Sequence, residues 1–275
     1  MRCISTILFV VTAVVVGFAQ TAPPEAANSP RSVASILPRV AANQDRSEEL
    51  RKQYMCREHI RVVTHKPGGR MVREETADYE SVPTPTGSRT ELKQITGRFW
   101  EKGKYRDFKG EPIPADDSWD ADYIRDVRLC LTEQARCTVG AHLFPLTTAE
   151  QNKYDFHLIG QEVMAGRNAY HIGFVPKNKE MFDWAGEAFV DAGDFQPIRV
   201  FTKLSRRVPF FARNVVGTNL SGFGYELDYR RQDGGIWFPV TYGAEYELRL
   251  LFRIHRNISI SMEVSCHEQA GISAK

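Results

Sequence analysis

Between Trp237 and Cys266, apolar and polar side chains alternate almost without a break. Tyr242, Tyr246, Leu248, Leu250, Phe252 and Ile254 share one parity, and Ile258, Ile260, Met262 and Val264 continue it. Glu245, Glu247, Arg249 and Arg253 take the other. Successive strand side chains point to opposite faces, so this is β ribbon with one wet face and one covered face. A chain with so much one-sided strand must find cover for a large apolar surface. That requirement restricts the fold more than any composition figure does.

A second β signal lies at Trp184–Leu204. Ile198, Val200, Thr202 and Leu204 fall on one face, Arg199 and Lys203 on the other. Asp191-Ala-Gly-Asp-Phe-Gln-Pro197 makes the corner of a hairpin. Gly193 is expected to take positive φ there, Asp194 to bond its own backbone, and Pro197 to stay out of a central ladder.

The remaining segments supply more strands and their cover. Val33, Ile36, Leu37, Val40, Ala41 and Leu50 predict an amphipathic helix over 35–53, with Pro38 tolerable only near its first turn. Tyr54–Thr64 changes period, with Tyr54, Cys56, Ile60 and Val62 on one face. Arg70–Val82, Arg89–Trp100 and Tyr105–Phe108 extend it into an antiparallel meander broken by Gly/Pro turns. Trp119, Tyr123, Val127, Cys130 and Leu131 predict a second helix over 118–134, capped by Ser118. Thr147 and Glu150 are spaced as a capping box. Tyr154–Val163, Ala169–Pro176 and the alternating Phe223–Tyr229 are further strands. The sum is a mainly β single domain over 32–270: a large, strongly curled antiparallel sheet covered by a few helices.

Ahead of this domain, residues 1–19 read as a secretory signal peptide. Arg2 is the basic end, Ile4–Val16 the apolar run, and Gly17-Phe18-Ala19 the cleavage site. Residues 20–31 read as a Pro/Ala-rich tether. The apolar run is shorter than the ~20 residues of a spanning helix, so a periplasmic or otherwise exported protein is expected, soluble after cleavage. Cys56, Cys130, Cys137 and Cys266 then remain. Their even number suggests disulfides, with three possible connectivities. A 56–266 bridge would clip the ends of the domain, and a 130–137 bridge requires the second helix to end near Gln134. Zinc lacks a CxxC spacing or clustered histidines, and free thiols are the third option.

Nothing in the chain forms a catalytic constellation, and no cofactor or metal is expected. Ser221 lacks the preceding glycine of a nucleophile elbow, and the histidines are scattered singly. Asp116-Asp117-Ser-Trp-Asp120-Ala-Asp122 has the acidity of a calcium loop without its central Gly and terminal Glu. An acidic helix N-terminus accounts for it. With 36 basic and 34 acidic residues, no strong positive field is available for nucleic acid.

At this point the chain resembles the outer-membrane lipoprotein-sorting proteins of the Lol carrier type. The features that carry the resemblance are the helix leading into Tyr54–Thr64, the run Tyr154–Arg167 leading into Ala169–Pro176, the hairpin with Asp191 through Val200, and Tyr225–Arg231 followed by Gly235–Pro239. The resemblance implies an incomplete, strongly curved antiparallel β-barrel whose helices cover the concave face over a hydrophobic cavity for acyl chains. In that frame Phe189, Phe223, Tyr225, Tyr229, Tyr242, Tyr246 and Phe252 are candidates to line a cavity, or else they fill an ordinary dry core. The apolar, arginine-flanked stretch with Val208, Phe210, Phe211 and Val215 suits contact with a bilayer surface or a lipidated partner, or else folds back onto the barrel mouth. The expected function is a non-enzymatic binding protein sheltering the acyl chains of a lipoprotein or lipid. The alternative is an envelope sensor or interaction protein on the same fold with a filled core.

Overall fold

The computed structural model describes residues 32–84, 87–110, 118–132, 146–178, 184–205, 219–232 and 234–268, all within one compact unit, Ser32–Lys275. The signal segment 1–19, the tether 20–31, the apolar stretch with Val208, Phe210, Phe211 and Val215, and Cys137 lie outside the described residues.

The elements in chain order are α1 (Val33–Arg51), β1 (Tyr54–His65), β2 (Met71–Thr84), β3 (Gly87–Glu101), β4 (Lys104–Lys109), α2 (Trp119–Thr132) and α3 (Thr148–Gln151). Then come β5 (Tyr154–Met164), β6 (Arg167–Pro176), β7 (Trp184–Asp191), β8 (Pro197–Leu204), β9 (Asn219–Ser221), β10 (Gly224–Arg231), β11 (Trp237–Leu250) and β12 (Ile254–Glu268). They build one antiparallel sheet in the order β4-β3-β2-β1-β12-β11-β10-β8-β7-β6-β5, with β9 on β11. The protein is thus mainly β, with three helices.

Two expectations need correction. The sheet is open, with β4 and β5 as its two edges, as an incomplete barrel requires, but it is not strongly curled. The alternation from Trp237 to Cys266 is not one ribbon but two strands around a turn at 251–253, with Leu250 paired to Ile254. A three-residue loop returns the chain to the same parity, so the apolar pattern passes through the corner unbroken. Leu251 and Phe252 carry the positive φ there, 50° and 55°, and neither is a residue type that announces such a turn.

One face of the sheet is covered. Ile60 and Val62 of β1, Ile258 and Ile260 of β12, Tyr242 and Tyr246 of β11, Leu227 of β10, Val200 of β8, Ala188 of β7 and Ile172 of β6 belong to a single buried cluster. Their registers put them on the same side of the sheet. Both longer helices lie on this side. α1 buries Ile36, Val40, Ala41, Gln44 and Ser47 along one stripe. It begins at Val33, which leaves Pro38 inside the helix on its exposed side.

The β7–β8 corner anchors α1. Asn43 Nδ2 donates to the Asp194 carbonyl (2.8 Å), Gln196 Nε2 donates to Ser47 Oγ (2.8 Å) and to the Asn43 carbonyl (3.0 Å), and the Arg39 guanidinium lies 3.7 Å from the Phe195 ring centre. Within the corner the roles differ from those the sequence suggests. Asp191, not Asp194, accepts the backbone N–H groups of Gly193 (2.9 Å) and Asp194 (2.6 Å), and Phe195, not Gly193, takes positive φ (52°). Burial alone would raise the Asp191 carboxyl, but hydrogen bonds from Arg167 and these two N–H groups hold it below the ordinary value.

α2 is held largely by polar contacts. Asp120 accepts two bonds from Arg256 of β12 (2.8 Å each), Arg128 donates to Tyr79 Oη (2.8 Å) and lies 3.4 Å from Glu75, and the Tyr123 and Tyr246 hydroxyls meet. Ser118 Oγ caps α2 by accepting from the Ala121 N–H at 3.2 Å. Thr147 occupies the N-cap of α3 but makes no side-chain cap bond, so the expected capping box does not form; Glu150 instead accepts from Lys153 (2.8 Å).

Cys56 and Cys266 face each other across β1 and β12 and form a disulfide, with Cα atoms 4.1 Å apart. Cys130 is disulfide-bonded as well.

Candidate binding cavity

A cavity of about 690 Å³ opens on the covered side of the sheet, at the end where α1 and α2 both finish. Its floor is Tyr54, Cys56 and Glu58 of β1, Met262, Val264 and Cys266 of β12, and Phe238 and Pro239 of β11. The last turns of the helices form its rim, with Glu48, Arg51 and Lys52 from α1 and Leu131 and Thr132 from α2; Ser81, Arg89 and Thr90 close the side toward β2 and β3. The size falls within the usual range for small-molecule sites, and the mix of an apolar floor with a few polar groups is the usual lining.

Two ionisable side chains dominate its electrostatics. Glu58 lies on the covered parity of β1, between Cys56 and Ile60. Loss of hydration pushes its carboxyl up to about 7, with a long hydrogen bond from Ser81 Oγ (3.4 Å) as a weaker opposing effect. Its Oε2 has no hydrogen-bond partner among the described residues. Burial likewise lowers the Arg51 guanidinium from its ordinary value, opposed by Tyr229 and Glu48 nearby, and its Nε and one Nη are without hydrogen-bond partners.

Beyond Arg51 lies the aromatic group that the sequence singles out. Tyr225 and Tyr242 stack at 5.7 Å between ring centres, and Phe223 meets Tyr246 edge-on at 4.5 Å. Trp184 touches both Phe223 (5.2 Å) and Tyr225 (4.8 Å). The Tyr225, Tyr229, Tyr242 and Tyr246 phenols are raised first of all by loss of hydration. The structure therefore brings Phe223, Tyr225, Tyr229, Tyr242 and Tyr246 together on the covered face. It does not bring the other two there. Phe189 faces the opposite side of β7, stacked on His171 at 4.3 Å and edge-on to Phe201 at 6.1 Å. Phe252 stands at the β11–β12 tip, 73 % exposed.

Sequence reading passed over Glu58 and Arg51. The signal for Glu58 was present: a carboxylate at a position whose strand neighbours of the same parity, Tyr54, Cys56, Ile60 and Val62, are apolar or cysteine. Arg51 carried none, since a basic residue in the last turn of a helix is ordinary.

A second cavity, about 790 Å³, lies on the other parity of β1, β2 and β12. Several of its charges are paired: His59 with Asp78 (2.7 Å), Lys93 with Glu80 (3.0 Å) and Arg57 with Glu80 (3.5 Å). Among the described residues no group of three His, Cys, Asp or Glu is placed to hold a metal ion, and no helix is long and apolar enough to cross a membrane.

No family model matches the chain, and no curated protein matches it. Among solved structures it is similar to a LolA superfamily protein from Nitrosomonas europaea, at 10 % identity and TM-score 0.34 over 88 % of this chain and 95 % of that one. It is also similar to the MucA/MucB complex of Pseudomonas aeruginosa, at 12 % identity and TM-score 0.22 over 86 % of this chain and 99 % of that one. A further match is an outer membrane lipoprotein-sorting protein domain from Vibrio parahaemolyticus, at 12 % identity and TM-score 0.40 over 86 % of this chain and 94 % of that one. The solved structures that the chain matches also include a DUF1329 family protein from Desulfovibrio piger and lipovitellin.

Proposed function

We propose that this chain is an exported, non-enzymatic binding protein that shelters the acyl part of a lipid or lipidated protein between its sheet and its helices. The observation that supports this reading is the 690 Å³ cavity on the covered face. Apart from Glu58 its floor is largely apolar, with Val264, Met262, Phe238 and the Cys56–Cys266 bridge, and Arg51 on its rim lies near Tyr229. Each buried methylene contributes roughly 0.8 kcal/mol, so ten would supply about 8 kcal/mol, the scale of a micromolar Kd before the costs of association. In this reading Tyr225, Tyr229, Tyr242 and Tyr246 form the inner wall against which the chain stops. Val208, Phe210, Phe211 and Val215 touch the donor membrane or the lipidated partner.

The test is uptake of a fluorescent fatty acid by delipidated protein. Wild type is expected to bind at micromolar concentration, and Val264→Trp, which fills the floor, to lose at least ten-fold. Failure of delipidated wild type to take up any acyl probe would overturn the reading. A second reading, an envelope sensor that binds a protein partner, is favoured by the tight mutual packing of Phe223, Tyr225, Tyr242 and Tyr246. Recovery of one protein partner with no lipid in native mass spectrometry would select it.

A further inference from the structure

The cavity holds two unsatisfied charges of opposite sign, and that pair specifies the polar end of the ligand. Arg51 Nε and one Nη, and Glu58 Oε2, are buried in its lining, with no hydrogen-bond partner among the described residues for any of the three. Of the other charges on the rim, Lys52 pairs with Glu49 at 2.5 Å and Arg89 with Glu91, while Glu48 stands near Arg51 without hydrogen-bonding it. An unsatisfied buried donor or acceptor is costly, and a buried charge more so. A neutral amphiphile would leave both groups orphaned. A simple fatty acid would answer Arg51 and place a second carboxylate in the cavity with Glu58. A lone cation would answer Glu58 and oppose Arg51.

We propose that the cavity selects a zwitterionic phosphate ester: a phosphate whose oxygens accept from Arg51, carrying a primary ammonium that donates to Glu58. The proposal rests on the amphiphile-binding reading above and names its headgroup. Three features of the site support it. A guanidinium presents parallel N–H donors that match phosphate oxygens. The carbonyl ends of α1 and α2 both lie at the rim and favour the ammonium, while Arg51, in the last turn of α1, offsets that field for the phosphate. The Glu58 carboxyl is in the condition of a buried acid that lacks its counter-charge, which an ammonium would supply. A quaternary ammonium has no N–H to donate and is expected to be a poorer fit.

The test compares lipids with identical short acyl chains and ethanolamine, choline or glycerol phosphate headgroups, titrated below their aggregation limits into the delipidated full chain. O-phosphoethanolamine and inorganic phosphate serve as chain-free controls. Wild type is expected to bind the ethanolamine lipid at least ten-fold more tightly than the glycerol lipid. Glu58→Gln is expected to abolish that preference. Arg51→Gln should weaken all three phosphate lipids about ten-fold, with Arg51→Lys restoring part of the loss; thermal melts establish that each variant is folded. Equal affinity of wild type for the three headgroups, or a preference that survives Glu58→Gln, overturns the headgroup assignment and leaves acyl binding standing. If no acyl compound enters but O-phosphoethanolamine binds in a Glu58-dependent way, the headgroup site stands and the acyl reading falls. Binding of neither sinks both.

Discussion

Replacing Glu58 by glutamine should make the protein more stable at neutral pH and leave it nearly unchanged in acid. The carboxyl titrates at about 7 in the folded chain, against 4.5 for an ordinary glutamate. A group whose folded value is raised contributes its full stability below the unfolded value, and that contribution is lost as pH rises through the folded one. Between pH 4.5 and pH 7 the loss is about 1.4 kcal/mol per pH unit, or roughly 3 kcal/mol in all. Glutamine has the same shape and is neutral throughout, so Glu58→Gln should escape that loss. Urea unfolding of both proteins at pH 4.5, 6, 7 and 8 measures the effect. Groups that titrate in both proteins cancel in the difference, which should be near zero at pH 4.5 and approach 3 kcal/mol above pH 7. In thermal melts that amounts to about 6–12 °C for a chain of this size. Parallel pH profiles for the two proteins would refute the reasoning, since they would mean that Glu58 is ionised and comfortable in the cavity at every pH.

Other perturbations test the scaffold. Replacing both Cys56 and Cys266 by serine opens a link between residues 210 apart in sequence. The chain-entropy account puts the loss near its upper end, about 5 kcal/mol, measurable by urea unfolding against wild type under oxidising conditions. Asp120→Ala leaves the Arg256 guanidinium half-buried without its two 2.8 Å bonds; the expected cost is about 3–5 kcal/mol, with faster amide exchange confined first to α2. Gly186→Ala would place a methyl 1.9 Å from the Phe201 carbonyl oxygen, so β7 and β8 must part. A loss of about 1–3 kcal/mol is expected in the same denaturation assay, and a neutral result would show that the two strands yield more easily than their pairing implies.

How much of this was legible in the sequence depended on whether burial came from one side or two. β1, β2 and β10 are covered on one face, so their period-two pattern announced them. Along β7, positions 188–191 are all buried, because His171 and Phe201 shield Phe189 on the face away from the helices. With both faces apolar, parity no longer says which way Phe189 points. The turn at Leu251–Arg253 was hidden for the opposite reason: its length preserved parity perfectly, and its positive-φ residues are Leu and Phe. The 56–266 bridge was visible as one of several pairings because the first and last strands each held one cysteine. The charged interior under α2 was not. Arg73, Glu75 and Arg128 read as solvated residues, yet each is at most 3 % exposed. The approach of α2 to β2, with the Phe99 and Phe108 rings over Arg73, removes their water.

The order of strands has a consequence for assembly. From β4 back to β1, and from β5 to β12, neighbouring strands are also close in sequence, so each half can zip from local hairpins. The two halves join once, where β1 lies beside β12, and the Cys56–Cys266 bond is sited on that seam. Pairing across so long a separation is entropically late. In a chain made from its N-terminus, β1 must wait, one edge unpaired, until β12 has been made. Oxidation of the cysteine pair then fixes the single step that no local contact can secure.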